Sequence, residues 1–153
     1  MTPNVCLYGK GRLGGTLSAI AALKEPDLFT STVLEDPVVD LTSYLFDHED
    51  RLTKNIFGDI NDQDIYEHTK QYSPYLSKVP KGLVNLLVIA NATSEQAAHA
   101  RKLVAKIRDT MQDKRNLNHI YFREIPPNSP EIFTTALWQG FVINSVFKQD
   151  KVF

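Results

Sequence analysis

The segment Val5–Ala22, VCLYGKGRLGGTLSAIAA, combines an apolar start, a glycine-dense turn and a helical pattern. Two kinds of site are built on such a strand–turn–helix. In the G-x-G-x-x-G fingerprint, backbone amides at the start of the helix bind a pyrophosphate. In the G-x-S-x-G nucleophile elbow, a serine on the tight turn attacks a carbonyl carbon. Gly9, Gly11 and Gly14 satisfy the first pattern, whereas Arg12 occupies the serine position of the second.

A dinucleotide-binding α/β protein is therefore one interpretation of this turn. It assigns Gly9, Gly11 and Gly14 to the pyrophosphate and Glu35, at the end of the next predicted strand, to the ribose. Glu35 lies slightly further along the chain than the roughly 20 residues that the fingerprint prefers. Because a single fingerprint is a weak signal, this interpretation is kept as an alternative.

Four apolar or β-branched stretches predict the strands that must position such a site. They are Val5–Tyr8, Phe29–Leu34, Leu83–Ala90 and Ile120–Ile125. The third is an almost unbroken apolar run, which is typical of a strand covered on both faces of a parallel sheet. The fourth alternates between apolar and polar residues and indicates a half-exposed strand at an edge.

Helical patterns follow three of the predicted strands. The first covers Gly14–Lys24. The second begins at Thr93, with Gln96 completing a capping box. The third has Ser129 as its N-cap and is apolar on almost every side, so we expect another surface to cover it. Five apolar residues form one face of the second helix: Ala97, Ala100, Val104, Ile107 and Met111.

The order of these elements predicts an α/β fold with about four mainly parallel strands flanked by helices. We expect a single domain over residues 1–153 with an acidic insertion over residues 37–82, where Leu41–Phe46 and Ile65–Gln71 have short helical patterns. A sheet of four strands is short. We therefore expect its first strand to offer an unpaired edge to a protein partner or to a second copy of the chain.

Composition narrows the range of partners and sites. The chain has 153 residues and a net charge of −1, which gives no reason to expect nucleic acid or an anionic membrane surface as a partner. No apolar run reaches the roughly 20 residues of a membrane span. Cys6 is the one cysteine, which excludes a disulfide within the chain and fits a reducing, cytoplasmic location. We expect no cofactor and no metal.

Three long segments of the sequence resemble segments of a known family. They are GGTLSAIAALKEPDLFTSTVLEDPVVDL at residues 14–41, IFGDINDQDIYEHTKQYSPYLSKVP at 56–80 and NLLVIANATSEQAAHARKLVAKIRD at 85–109. They resemble the C-terminal part of the catalytic domain in the prolyl oligopeptidase family of serine peptidases, especially its oligopeptidase B and prolyl endopeptidase-like branch. The resemblance extends over about residues 5–125 and implies a partial α/β-hydrolase fold.

The resemblance also implies where a catalytic triad of serine, aspartate and histidine belongs. It places the serine at Arg12, or at Gly11 if the alignment shifts by one residue. The aspartate falls within Asn91–Ser94, NATS, and the histidine within Pro126–Phe133, PPNSPEIF. None of these positions holds the required residue. Family members further carry a β-propeller and earlier strands of the sheet, which we expect this chain to lack.

Other nucleophiles and bases in the chain do not fill these positions. Thr16 and Ser18 are the nearest hydroxyls, and we expect both inside the helix rather than on the turn. We expect the four histidines to be solvated or locally hydrogen-bonded rather than to act as bases; they are His48, His68, His99 and His119.

The sequence thus favours a truncated, noncatalytic relative of the prolyl oligopeptidases that serves as an interaction or scaffold module. Two alternatives are kept beside it. One is the dinucleotide-binding protein described above. The other is an active fragment of a serine-type oligopeptidase.

Overall fold

The computed structural model describes residues 5–48, 51–83, 85–111 and 119–147. The strands within these ranges are β1 (Cys6–Lys10), β2 (Ser31–Glu35), β3 (Asn85–Asn91) and β4 (Ile120–Ile125). The α-helices are α1 (Gly11–Lys24), α2 (Leu41–Asp47), α3 (Arg51–Phe57), α4 (Gln63–Tyr72), α5 (Gln96–Thr110) and α6 (Glu131–Phe147). A short 3₁₀ helix, Pro26–Leu28, follows α1.

The four strands form one parallel sheet in the order β1-β2-β3-β4. Tyr8, Val33, Leu87 and Tyr121 lie side by side across it. Every residue of β2 is buried, as expected for a strand that has neighbours on both sides and helices on both faces. The parallel α/β fold predicted from the sequence is confirmed, and β4 lies at an edge as its alternating pattern indicated.

Helices cover both faces of the sheet because consecutive side chains of each strand point to opposite faces. Leu34 and Val88 face α1 and α5 and share the larger apolar core with Leu103. Val33 faces α6 on the other side and packs in a smaller core with Trp138. Helices α1 and α6 therefore lie on opposite faces, and both lie beside β1.

Helix α5 buries the predicted apolar face but begins in a different way. All five residues of that face are buried: Ala97, Ala100, Val104, Ile107 and Met111. The predicted capping box at Thr93 and Gln96 is wrong. The backbone N–H and the hydroxyl of Thr93 donate to Oδ1 of Asn91 at 3.2 and 3.0 Å, which forms a turn before the helix. Glu95 then takes the N-cap position without a side-chain hydrogen bond.

The start of α6 also differs from the predicted cap. Ser129 donates its hydroxyl to the Pro126 carbonyl at 2.8 Å, so this oxygen holds the preceding turn. The helix begins at Glu131. Ile132 and Ile143 on its outer side are 74% and 58% exposed. Within the described residues, the sheet covers only one side of this apolar helix.

The described residues between 37 and 82 include α2, α3 and α4. Asp40 caps α2 by accepting from the Ser43 amide at 3.3 Å, and Asp62 caps α4 by accepting from the Asp64 amide at 2.8 Å. The two short helical patterns of this segment are confirmed, and α3 is an additional helix. Across the part of the chain that is described, no helix combines the length and apolar character needed to cross a membrane.

Candidate functional site

The glycine turn joins β1 to α1 without an intervening loop. Lys10 ends the strand and Gly11 begins the helix with a φ of +73°, in the left-handed region that favours glycine. The chain thus bends at Gly11, one residue before Arg12. These are the two positions considered for the serine, and neither carries a hydroxyl.

Gly9 and Gly15 allow the strand and the helix to pack closely against their neighbours. A Cβ on Gly9 would lie 2.3 Å from the Gly14 carbonyl oxygen and 2.3 Å from Oγ of Ser18. A Cβ on Gly15 would lie 2.8 Å from Cα of Pro37. These glycines are explained by packing at the turn.

Arg12 extends from the turn toward α2. Its Nη1 donates to the Tyr44 hydroxyl at 2.6 Å. The Thr16 hydroxyl donates to the carbonyls of Arg12 and Val38. Thr16 and Ser18 are both buried, so neither is presented to a substrate.

The end of β3, where the resemblance places the aspartate, is held by local hydrogen bonds. Ser94 donates its hydroxyl to the Asn91 carbonyl at 2.8 Å. The carboxylate at this point comes instead from Asp36, just after β2. Its Oδ1 accepts from the backbone N–H of Asn91 at 2.8 Å and from the Ser94 hydroxyl at 3.3 Å. Spacing along the sequence does not place Asp36 beside β3, because this contact joins the ends of two neighbouring strands.

The segment after β4, where the resemblance places the histidine, forms a turn with Asn128 at a φ of +64°. Its described residues contain no imidazole. The ionisable residue of this segment is Glu131, the first residue of α6. It lies 3.3 Å from Nζ of Lys10 at the glycine turn.

A charged network occupies this edge of the sheet on the side of α6. Lys10 pairs with Glu35 at 2.9 Å, and Tyr8 donates its hydroxyl to the same carboxylate at 2.7 Å. Burial and then the hydrogen bond to Glu35 raise the pKa of Tyr8 to about 12. The hydrogen bond to Glu35 raises the pKa of Lys10 above its usual range. A pocket of about 190 Å³ lies beside the network, bounded by these charges and by Asp36.

Glu35 therefore bonds to two side chains within the chain, those of Tyr8 and Lys10. It was the residue assigned to the ribose in the dinucleotide interpretation. Its carboxylate is buried and accepts from Tyr8 and Lys10, so little of it is exposed to a ribose. The geometry at Gly9 and Glu35 gives the dinucleotide interpretation no added support.

The histidines make local contacts. Nε2 of His48 lies 3.2 Å from Oε2 of Glu95, and its ring stacks on Tyr44 with centroids 4.2 Å apart. The Asp40 amide donates to Nδ1 of His99 at 3.3 Å, and this ring is buried. His119 lies 2.8 Å from Oδ1 of Asn85 through Nδ1. The ring of His68 lies 5.0 Å from that of Tyr72.

The arrangement as a whole brings one possible acid–base pair to the vicinity of the turn. Arg12 bonds to Tyr44, Tyr44 stacks on His48, and His48 pairs with Glu95. A histidine and a carboxylate orient each other in hydrolases, but they need an activated nucleophile to attack a carbonyl. The residues at the turn supply none. Among the described residues, no three potential ligands are grouped closely enough to hold a metal ion.

The family model for the prolyl oligopeptidase family matches residues 3–124. No curated protein matches the chain.

Solved structures share the fold at low sequence identity. Oligopeptidase B from Trypanosoma brucei, in a closed form with covalently bound antipain, is 21% identical with a TM-score of 0.79, over 95% of this chain and 22% of that one. Oligopeptidase B from Leishmania major is 22% identical with a TM-score of 0.76, over 95% and 22%. Apo prolyl oligopeptidase B from Galerina marginata is 18% identical with a TM-score of 0.75, over 94% and 21%.

The chain thus spans about a fifth of the length of these solved relatives. Its four parallel strands and flanking helices correspond to part of an α/β-hydrolase fold. The resemblance seen in the sequence is confirmed by the family match and by the shared fold. The chain belongs to the prolyl oligopeptidase family.

Proposed function

We propose that this chain is a noncatalytic member of its family and serves as an interaction module. The observation that carries the proposal is that the residues at three strand ends include no serine, aspartate and histidine in the positions of the catalytic triad. After β1 stand Gly11 and Arg12, after β3 a hydrogen-bonded turn at Asn91–Ser94, and after β4 a turn without histidine at Pro126–Phe133. Loss of a nucleophile and its base lowers the turnover of a serine peptidase by a factor on the order of a million.

The contacts of these residues support a structural role for the same positions. Arg12 is bonded to Tyr44, and Lys10 joins Glu35 to Glu131 across the edge of the sheet. Such ion pairs hold elements together. They engage the charged side chains at the turn with partners inside the chain.

The first test is labelling by a fluorophosphonate probe for serine hydrolases. We expect no covalent labelling of the chain and no cleavage of short peptides with basic or proline residues. An active oligopeptidase B serves as the positive control in the same assay. Stoichiometric labelling at any serine would contradict the proposal and favour an active serine-type oligopeptidase.

The surface proposed for interaction is the open edge of β1. The Val5 carbonyl accepts from the Thr30 amide at 2.8 Å and so faces β2. Because alternate residues of a strand direct their backbone groups to opposite sides, those of Cys6 and Tyr8 face the open edge. An unpaired edge of this kind is a template for a strand from another polypeptide. We take a second copy of this chain as the partner to test first.

A pair of substitutions at Cys6 tests this edge. Cys6→Pro removes an outward N–H without removing a bond to β2, whereas Cys6→Ala keeps that N–H. We expect the unmodified chain and Cys6→Ala to sediment as dimers and folded Cys6→Pro as a monomer. Circular dichroism checks that each variant folds. A monomeric unmodified chain at micromolar concentration, with cooperative unfolding, would contradict self-association.

We also propose a cytoplasmic location, which rests on the single free thiol of Cys6. A fluorescent fusion of the chain tests it. Diffuse cytosolic fluorescence is expected, and accumulation in a secretory compartment would contradict it.

A further inference from the structure

A second surface, separate from the edge of β1 and from the strand ends, forms a cavity between α1 and α4. We call it the α1–α4 groove. It has a volume of about 470 Å³, within the range of roughly 300–1,000 Å³ typical of small-molecule sites. Its lining comes from α1, α2, α3 and α4: Leu13, Thr16, Leu17, Ile20, Leu41, Ile56, Phe57, His68, Thr69 and Tyr72.

The wall of the groove is apolar and open to solvent. Leu13, Leu17 and Ile20 follow one another at helical spacing along one side of α1. Leu13 and Leu17 are 51% and 65% exposed, and Ile56 on the opposite wall is 53% exposed. Contiguous exposed apolar side chains in a concave surface are characteristic of a binding site. The groove can therefore enclose an aliphatic chain.

Lys24 places a positive charge beside one end of the groove, just outside its lining. Lys24 is the next residue on the same side of α1, and its Nζ lies 4.6 Å from the ring centroid of Tyr72. The ring of His68 lies 5.0 Å from that of Tyr72. Among the described residues, no carboxylate lines the groove and none forms an ion pair with Lys24. An ammonium that contacts an aromatic ring but pairs with no described carboxylate, at the end of an apolar groove, favours an anionic head group.

We propose that the α1–α4 groove binds a small amphipathic carboxylate. Its aliphatic chain lies against Leu13, Leu17 and Ile20, and its carboxylate lies at Lys24 beside His68. The proposal is independent of the noncatalytic role and of the edge of β1, because none of these side chains belongs to either.

Calorimetric titration with three ligands of equal chain length tests the head group. The probes are decanoate, decanol and decylammonium, each below its micelle concentration. We expect decanoate to bind about tenfold more tightly than decanol, the size of one charge-assisted contact at a partly exposed site. Decylammonium is expected to bind more weakly than decanol. Equal affinity for decanoate and decylammonium, or no binding of any probe, would overturn the proposal.

Substitutions then locate the site. Lys24→Gln should reduce the affinity for decanoate about tenfold and leave decanol unchanged, with Lys78→Gln on the exposed surface as the matched control. Leu17→Asp should abolish binding of both. Leu28→Asp, at another exposed leucine outside the groove, should not. Decanoate affinity that survives Leu17→Asp in a folded variant would place the ligand elsewhere and refute the groove.

Discussion

At the scale of single residues, Gly9 shows how closely β1 lies against α1. A methyl group at this position would approach the Gly14 carbonyl and Oγ of Ser18 to 2.3 Å. We expect Gly9→Ala to reduce the free energy of unfolding by about 1–3 kcal/mol, the usual cost of overpacking. Urea denaturation measures this change.

Gly14→Ala is the matched control for Gly9→Ala. No atom lies within 4 Å of a Cβ at Gly14, and its φ is not positive. Alanine favours a helix over glycine by about 1 kcal/mol, so this variant should be as stable as the unmodified chain or more stable. Equal destabilisation by both substitutions would show that Gly9 is not limited by packing.

His99 gives the stability of the protein a dependence on pH. Burial lowers its pKa below the ordinary value of 6.5, while the nearby Asp40 and Glu95 carboxylates raise it and Lys102 and His48 lower it. Because the folded pKa is the lower one, this contribution to stability is present above about pH 6.5. It is lost as the pH falls through the folded value. The free energy of unfolding should therefore decline below about pH 6.5, by at most ~1.4 kcal/mol per pH unit.

Two variants assign this decline to His99. His99→Gln removes the titrating ring, so its free energy of unfolding should change less between pH 7.5 and 5. His119→Gln removes an exposed histidine and should retain the decline. An undiminished decline in His99→Gln would assign the pH dependence to other groups.

At the scale of elements, the carboxylate of Glu35 fastens β1 to β2. The Tyr8 hydroxyl donates to this buried group, so Tyr8→Phe removes one of its partners. We expect a loss of about 0.5–1.5 kcal/mol in the free energy of unfolding, measured in urea at neutral pH. Tyr8 has a pKa raised from 10.0 to about 12. Its contribution is therefore complete below about pH 10 and lost as the pH rises through about 12.

Tyr121→Phe is the control for the loss of a tyrosine hydroxyl. Tyr121 is 46% exposed on the opposite edge strand, against 40% for Tyr8. Its hydroxyl makes no hydrogen bond to the described residues. A Tyr8→Phe variant no less stable than Tyr121→Phe would show that the bond to Glu35 contributes nothing measurable.

The bounds of the elements could be predicted where periodicity decides them. Ile120–Ile125 has the same bounds in the sequence prediction and in the structure, and its burial alternates from Ile120 to Glu124. Helix α1 begins at Gly11, earlier than predicted, since a left-handed glycine lets the strand pass directly into the helix. The caps predicted at Thr93 and Ser129 are wrong, because each side chain bonds within the preceding turn instead. Such local competition is invisible to a pattern of residue types.

At the scale of the whole molecule, the three strand ends can be located from the sequence. The side-chain contacts that join them cannot be predicted from it. Parallel order alone places the residues after β1, β3 and β4 at one edge of the sheet. The contact between Lys10 and Glu131 joins residues far apart in the chain, and no spacing predicts it. Asp36 was missed beside β3 for the same reason. Its place depends on the neighbouring strand rather than on its own segment.

The reactivity of Cys6 measures how often α6 separates from the sheet. Its thiol is half-buried and packs in the smaller core that α6 closes over β1. As the one cysteine of the chain, it reacts with an alkylating reagent without competition. The ratio of its alkylation rate to that of a free cysteine peptide reports how often the helix lifts from the sheet. Mass spectrometry of quenched samples would thus give the rate of local opening from the alkylation of a single thiol.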